Sequence, residues 1–391
     1  MHSAMAESRN ILARVGGFVK AEPVFSVALI VALLSMIAVP PSPEYFGYIK
    51  WRTLGLLTMF MLCVAGLQKA GVLERIAQGL VGSVAKSKGG GLKALVAVLV
   101  LLPYSGGMFI TNDVALLTFV PFALMVLLGH RRADLIPLVL TLQTIAANAG
   151  SYLTPFGNPH NLYSYTLFNV GFGEFIAAQA PFTLLLGVYL AVCIALFVRN
   201  SRGTHEAEKP QVDGAPMPVV RLDAALFAAL FAVSVLSVLK VVPVQAAFAV
   251  VVLVALLRDR TLLAKVDWLL LGTFVCFFIF SSNLAAIPAV SDVLTSAMSR
   301  HPFWITMGAS QVISNVPSCT LLAPFTTDWR ALAVGANLGG LGSPVGSLAS
   351  LITLGFFRRS GQGNIGSFMK VFLGFNVAAL ALTCGLWVLL G

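Results

Sequence analysis

From Phe25 to Leu390 the chain is a succession of apolar runs near the length of a membrane-crossing helix, several of them broken internally by Asn, Gly, Pro and small hydroxyl residues. In hydrocarbon every backbone N–H and C=O must find its partner within the protein, so only helices and closed barrels can cross. Alternating strand patterns of about ten residues do not recur, which leaves helices. Only 10% of residues are charged and 58% are hydrophobic, whereas a soluble domain carries about a quarter charged residues. The chain therefore reads as an all-α integral membrane protein. Non-helical backbone inside such a protein is tolerated only where it is buried or lines a cavity, so the internal breaks mark the places to look for a site.

Residues 1–22 carry Arg9, Arg14 and Lys20 and read as a polar N-terminal segment. The apolar run Phe25–Pro40 is followed by PPSPEY without a small-x-small cleavage site, so a retained first span is expected rather than a signal peptide. A second span covers Thr53–Leu67, and LERIAQGLVGSVA after it has the pattern of an amphipathic helix in the interface. Leu92–Leu128 is broken at 103–113, leaving arms short of the roughly 20 residues of a full span, which favours a re-entrant hairpin. Leu135–Tyr165 reads as one crossing interrupted at 148–159, and Phe175–Val198 closes the half. The hydrophilic stretch 199–221 leads to Ala224–Leu239, Val244–Leu257, Trp268–Phe280 and an interfacial segment 287–301. A second hairpin follows over Phe303–Phe325, then a second crossing over Trp329–Phe357 interrupted at 337–347, then a last span Phe368–Leu390. The expected units are the segment 1–22, a first repeat 23–198, a linker with its connecting span 199–242, and a second repeat 243–391.

The formal net charge is +10, and its distribution points to membrane orientation rather than to nucleic acid. With the N-terminus inside, only Lys50, Arg52, Lys240, Arg300 and Arg330 of the 25 Lys and Arg fall on the outer side. Four crossings return the first half to the cytoplasm, and one linker span starts the second half from outside. The halves are then inverted, with one hairpin entering from each side, an architecture that binds substrate and ions near the midplane. A multi-pass protein of the inner (plasma) membrane with a cytoplasmic N-terminus is expected. Cys63, Cys193, Cys276, Cys319 and Cys384 have no metal-ligand or disulfide-framework spacing and read as small packing residues.

Four polar blocks carry the repeat. ITNDVALLTFVPF (110–122) aligns with ISNVPSCTLLAPF (313–325), placing Asn112 on Asn315 and Pro121-Phe122 on Pro324-Phe325. NAGSYLTPFGNPHN (148–161) aligns with NLGGLGSPVGSLAS (337–350), pairing Asn148 with Asn337, Gly150 with Gly339, Pro155 with Pro344 and Gly157 with Gly346. Helix ends brought into the membrane offer free N–H groups to an anion and free carbonyls to a cation. Thr111, Asn112, Ser314 and Asn315 stand beside them as neutral donors and acceptors, with Asn148, Ser151, Thr154, Asn158, Asn337, Ser343 and Ser347 in the broken crossings. Taken singly, each is equally well a cap or turn residue. GANLG (335–339) and GSPVG (342–346) also fit the small-xxx-small pattern of close helix packing.

Asp113 is the one acid deep in an apolar stretch, where a charge costs about 3 kcal/mol on an insertion scale. A helix N-terminus returns about 1 kcal/mol or less, so the burial calls for a proton, an ion pair or a bound cation. Val316 stands at the matching place, which makes the two copies unequal. No GxxxxGK[ST], HExxH or GxSxG motif is present. No cofactor is expected beyond Na+ or H+ as coupling ion.

At these residues the chain resembles the ion-transporter superfamily, which includes divalent-anion/sodium symporters, citrate–metal symporters, arsenite permeases and one class of sodium/proton antiporter. ITNDVALLTFVPF and ISNVPSCTLLAPF resemble paired Ser-Asn-Thr hairpin tips, TND is closer to an Ala-Asn-Asp of arsenite permeases, and NAGSYLTPFGNPHN resembles a Gly-x-Pro-Pro-Asn broken-helix loop. The resemblance implies inverted repeats, a homodimer and elevator-like movement. It further implies substrate contacts from Thr111, Asn112, Ser314 and Asn315, and ion sites at Asn148, Gly150, Asn337 and Gly339. Asp113 and Val316 depart from the dicarboxylate pattern and His160 from the citrate pattern, so the expected cargo is stated broadly as a small anion, carboxylate or inorganic oxyanion. Metalloid efflux, sodium/proton exchange and, more remotely, a membrane enzyme are the alternatives.

Overall fold

The computed structural model describes residues 22–86, 91–198 and 219–390, and all regular structure among them is helical. The polar segment 1–21 and the hydrophilic stretch 199–218 lie outside the described residues. The first half runs α1 (Pro23–Ala38), α2 (Trp51–Lys69), α3 (Val72–Lys86), α4 (Leu92–Gly107), α5 (Asn112–Gly129), α6 (Ile136–Tyr152), α7 (Pro159–Leu167) and α8 (Phe172–Phe197). After α9 (Arg221–Val238), the second half runs α10 (Val244–Arg258), α11 (Trp268–Ala286), α12 (Pro288–Arg300), α13 (Pro302–Ile313), α14 (Asn315–Leu322), α15 (Trp329–Gly339), α16 (Leu348–Ser360) and α17 (Ile365–Leu390). Each half presents two helices, a short helix beside them, a hairpin, an interrupted helix and a long closing helix. Seven helices among the described residues are long and apolar enough to cross a membrane.

The hairpin arms are of uneven length. At 1.5 Å per residue, α4 with its 16 residues is about 24 Å long and α13 with 12 is about 18 Å, both short of a hydrocarbon core of about 30 Å. The second arm of the first hairpin, α5, has 18 residues and is long enough to count among the seven.

Packing repeats with the halves exchanged. α1 packs on α11 and α10 packs on α2, so the opening pair of each half is completed by the other half. α4 lies along α6, and α13 along α15. The second hairpin arms cross over, α5 touching α16 and α14 touching α7. One buried apolar cluster gathers α4, α5, α6 and α8 around Leu99, Phe119, Leu142 and Phe182. A second gathers α2, α7, α9, α10, α11 and α14 around Met59, Tyr163, Phe274 and Phe278. α15 contributes to both, with Val334 and Leu338 in the first cluster and Leu332 and Ala336 in the second. Outward faces stay apolar, as Ile37 on α1 and Leu389 on α17 show, which suits lipid contact.

Both interruptions begin later than the polar blocks suggest. Asn148, Gly150 and Ser151 remain helical, and the first break is 153–158. Asn337 and Gly339 likewise belong to α15, and the second break is 340–347. α6 ends at Tyr152, three residues before Pro155, and α15 ends at Gly339, ahead of Gly342 at φ 90° and of Pro344. Gly150 and Gly339 serve approach instead. A Cβ on Gly150 would lie 1.9 Å from the Tyr104 carbonyl oxygen, and one on Gly339 2.3 Å from Ser310 Cβ.

Candidate functional site

Four helix N-termini open into the polar interior, those of α5, α7, α14 and α16, with Thr111, Asn158, Ser314 and Ser347 as their N-caps. All four are capping residue types, yet only Ser347 accepts a hydrogen bond from its own helix, from Ala349 N at 3.3 Å. At the polar surfaces the caps behave ordinarily: Asp267 accepts from Leu270 N and Asp328 from Ala331 N. Three of the four interior caps therefore leave the cap hydrogen bond unmade.

The two hairpin tips differ in construction. The first turns through four residues, Met108–Thr111, with Thr111 half-buried in extended backbone. The second turns on Ser314 alone, at φ 72° and ψ 158°. That region is close to glycine-only, and holding another residue there costs about 1–3 kcal/mol. The surrounding contacts that hold it are Ser314 N to Ser310 O (3.1 Å) and Asn315 N to Gly346 O (3.0 Å).

Both tips meet one short segment, Gly346-Ser347. Asn112 Nδ2 donates to Asn148 Oδ1 at 2.9 Å and reaches Ser347 Oγ at 3.5 Å, while Ser347 Oγ donates to the same Asn148 oxygen at 3.3 Å. From the other side Asn315 N and Ser314 Oγ both donate to Gly346 O. Asn148 Nδ2 reaches Gly340 O at 3.4 Å. Asn112, Asn148, Ser314 and Asn315 are thus brought together through the second break.

Thr154 and Ser343 occupy matching places and do matching work. Thr154 Oγ1 donates to Met108 O (2.8 Å), and Ser343 Oγ to Gln311 O (2.9 Å), each tying a break to the apex of its own hairpin. The helix-end carbonyls expected to face a cation are capped by amides instead. Asn161 Nδ2 sits over the carbonyls of Ser151, Tyr152 and Thr154 at 3.0–3.3 Å. Gln311 Nε2 donates to Gly339 O and Leu341 O, both at 2.9 Å. One lone pair of each carbonyl is so occupied.

Asn337, the repeat mate of Asn148, faces a different network. Its Nδ2 donates to Asn161 Oδ1 (2.9 Å) and Gln179 Oε1 (3.1 Å), which leaves its Oδ1 to accept from His160 Nε2 (2.8 Å). His160, at the start of α7, therefore links α7 to α15, and the whole group is buried. Gly150 and Gly339, expected beside ions, lie at the α4–α6 and α13–α15 contacts.

Several buried polar atoms at this centre have no hydrogen-bond partner: Asn112 Oδ1, Asp113 Oδ1, Asn158 Nδ2 and Asn315 Nδ2. An unmade hydrogen bond on a buried group costs about 1–3 kcal/mol, so these atoms mark where ligand contacts are worth most. Asp113 lies in the first turn of α5, half-buried, with neither an ion pair nor a basic neighbour bonded to that oxygen. The space beside Thr111 is an apolar cavity of about 30 Å³ against Phe60, Phe109 and Phe156, roughly one water in size. Gln311, Asn161 and Gln179 are not assigned by the sequence reading; the signal for Gln311 and Gln179 is a strongly polar residue inside an apolar helix.

A model of the citrate transporter family matches residues 19–328 of the chain. The inner membrane protein YbiR of Escherichia coli is 31% identical over 344 residues, 84% of this chain and 86% of that protein. An uncharacterized transporter of Methanocaldococcus jannaschii is 26% identical over 345 residues, covering 87% and 88%. Among solved structures, the YdaH transporter of Alcanivorax borkumensis superposes with a TM-score of 0.45 at 15% identity, covering 88% of this chain and 87% of that one.

Proposed function

The chain belongs to the citrate transporter family, and from that premise we infer that it is a secondary transporter of a small carboxylate or inorganic oxyanion, driven by H+ or Na+. The observation that carries the reading is the meeting of both hairpin tips on Gly346-Ser347, beside polar atoms that lack partners. Anionic oxygens suit the N-termini of α5, α7, α14 and α16, where the helix dipole favours negative charge, although in α14 the Asn315 and Val316 N–H groups already bond Gly346 O and Asn315 Oδ1. Thr111, Asn112, Asn158, Ser314 and Asn315 are the side chains placed to add neutral hydrogen bonds there, and a citrate-type anion is the substrate to test first.

Asp113 is the coupling residue in this reading. A carboxylate beside an anion site opposes substrate, so a proton or Na+ on Asp113 removes the repulsion and binding of the two becomes mutually favourable. Asn148 and the remaining carbonyl lone pairs of the breaks are its neutral partners for a cation. Val316 at the matching place of the other repeat supplies no second acid. For movement we favour an elevator. The hairpins seat on α6 and α15 at glycine contact distances that resist sliding, so hairpin and broken helix travel together. Inverted insertion with a cytoplasmic N-terminus in the inner membrane completes the reading, from the distribution of Lys and Arg.

The deciding experiment is uptake into proteoliposomes of a panel of carboxylates and oxyanions under an imposed pH or Na+ gradient. Gradient-driven accumulation of at least one anion is expected, with loss of coupling in Asp113→Asn. Accumulation still driven by the gradient in Asp113→Asn would sink the coupling assignment. Failure of every anion, with transport of a cation or a neutral metalloid instead, would sink the substrate class.

A further inference from the structure

A second cavity lies away from the central site, at the face that carries most of the Lys and Arg. There the end of α2 meets the 3-10 turn Arg260–Lys265, which connects α10 to α11. Ala65, Gln68, Lys69, Thr261, Leu262 and Lys265 enclose a cavity of about 380 Å³, within the range of small-molecule sites, about 300–1,000 Å³. Its wall has two cations, two neutral polar side chains and an apolar floor, and no acid among the lining residues.

The charges around it are specific. Lys69 Nζ is bonded to Asp259 Oδ2 and to Thr261 Oγ1, the latter at 3.1 Å. Asp259 Oδ1 in turn accepts from Thr261 N (3.0 Å) and Thr261 Oγ1 (2.7 Å). Asp259 is therefore an internal carboxylate held on one lysine of the cavity. Lys265 and Arg260 enter no ion pair among the described residues, whereas Arg258 is taken by Asp223. Asp267 is the other acid nearby, and its Oδ1 is engaged as the cap of α11.

Place argues for what binds. Leu262 and Ala65 are buried, so the floor belongs to the protein interior rather than to the lipid face. Gln68 Nε2 donates to Thr118 Oγ1 of α5 at 3.1 Å. Thr118 lies six residues from Asn112, about 9 Å along the helix, so the cavity adjoins the arm that carries the first hairpin tip.

We propose that this cavity is a second anion site, an entry vestibule in which Lys69 and Lys265, with Gln68 and Thr261, take a di- or tricarboxylate before it reaches the hairpin tip, and that Asp259 competes with it for Lys69. The proposal rests on the anion-transporter reading and deepens it. It predicts opposite signs for neighbouring substitutions, which a merely structural role does not.

The test uses full-length protein in phosphatidylcholine proteoliposomes, with citrate presented from either side. Lys265→Gln and Lys69→Gln are expected to raise KM several-fold from the basic side only, with kcat unchanged. Asp259→Asn is expected to lower that same KM by about two- to fivefold. A second readout needs no transport: in Lys265→Cys, citrate is expected to slow maleimide labelling, and to do so equally when Asn112→Ala is added. No citrate transport by the protein with Asn112 intact, with protection retained, refutes the central-site reading and leaves the vestibule standing. No protection by citrate, protection that disappears with Asn112→Ala, KM shifts of one sign in all three variants, or effects confined to vesicles containing anionic lipid would each overturn the vestibule, the last by assigning it to lipid headgroups.

Discussion

Alanine at Gly150 and at Gly339 separates two explanations of why glycine stands inside α6 and α15. Without a tertiary constraint, Gly→Ala in a helix stabilises by about 1 kcal/mol. Here the added Cβ at residue 150 meets the Tyr104 carbonyl oxygen at 1.9 Å, against ordinary contact near 3.5 Å, so α4 and α6 must part by roughly 1.5 Å. The obstacle is backbone and has no rotamer to change. Overpacking of this kind costs about 3 kcal/mol, the upper part of its usual range, giving a net loss of about 2 kcal/mol after the propensity gain. At residue 339 the first obstacle is Ser310 Cβ at 2.3 Å and its Oγ at 2.7 Å, with Met307 O behind at 3.0 Å. Ser310→Gly removes the first two, so Gly339→Ala is expected to be partly rescued by it, with a coupling of about 1–2 kcal/mol. Gly385→Ala in α17, whose Cβ would meet nothing within 4 Å, is the control and should be neutral or mildly stabilising. The assay is the fraction of detergent-solubilised protein remaining monodisperse after heating, run as a double-mutant cycle. A Gly150→Ala protein more stable than wild type would refute the packing argument and return that glycine to a role at an ion.

Ser314→Gly relieves the one strained turn at a hairpin tip and gives up only hydrogen bonds of 3.4 Å, so it should raise thermal stability by about 1 kcal/mol; a fall would mean the Ser314 hydroxyl matters more than the backbone. The Lys69 ammonium bonded to Asp259 holds that carboxyl down at about 2 from an ordinary 3.8. A depressed folded value stabilises above pH 4 and is lost as pH falls through about 2, so melting curves of wild type and Asp259→Asn should converge at the acid end; divergence there would contradict the pairing. Single cysteines at Ser105 and Val312, exposed near the two hairpin apices, are expected to label from opposite sides of the membrane. Labelling of both from one side would exclude inverted hairpins.

The sequence alone established a great deal about architecture, because lipid leaves the backbone few choices. Apolar runs bounded by Pro, Gly and basic clusters located the helices, for instance Val244–Leu257 against the observed Val244–Arg258. The aligned blocks contain both tight turns between helices, at 108–111 and 314, and both breaks, at 153–158 and 340–347. Helix ends inside the blocks were less legible. Asn, Gly and Ser look like interruptions in sequence, yet Asn148 and Asn337 stay helical, and the elements end only at Tyr152 and Gly339. Partnership was not legible at all. Asn112 and Asn148, Ser347 and Asn112, or His160 and Asn337 are joined by hydrogen bonds between residues 36, 235 and 177 positions apart, chosen by how four helix ends converge. An amide side chain reads the same whether it caps carbonyls, as Asn161 does, or keeps an atom unpartnered, as Asn315 does. Local composition sets which segments are helical and apolar. Only tertiary packing decides where each polar atom spends its hydrogen bonds, because that depends on distances between elements that no local stretch encodes.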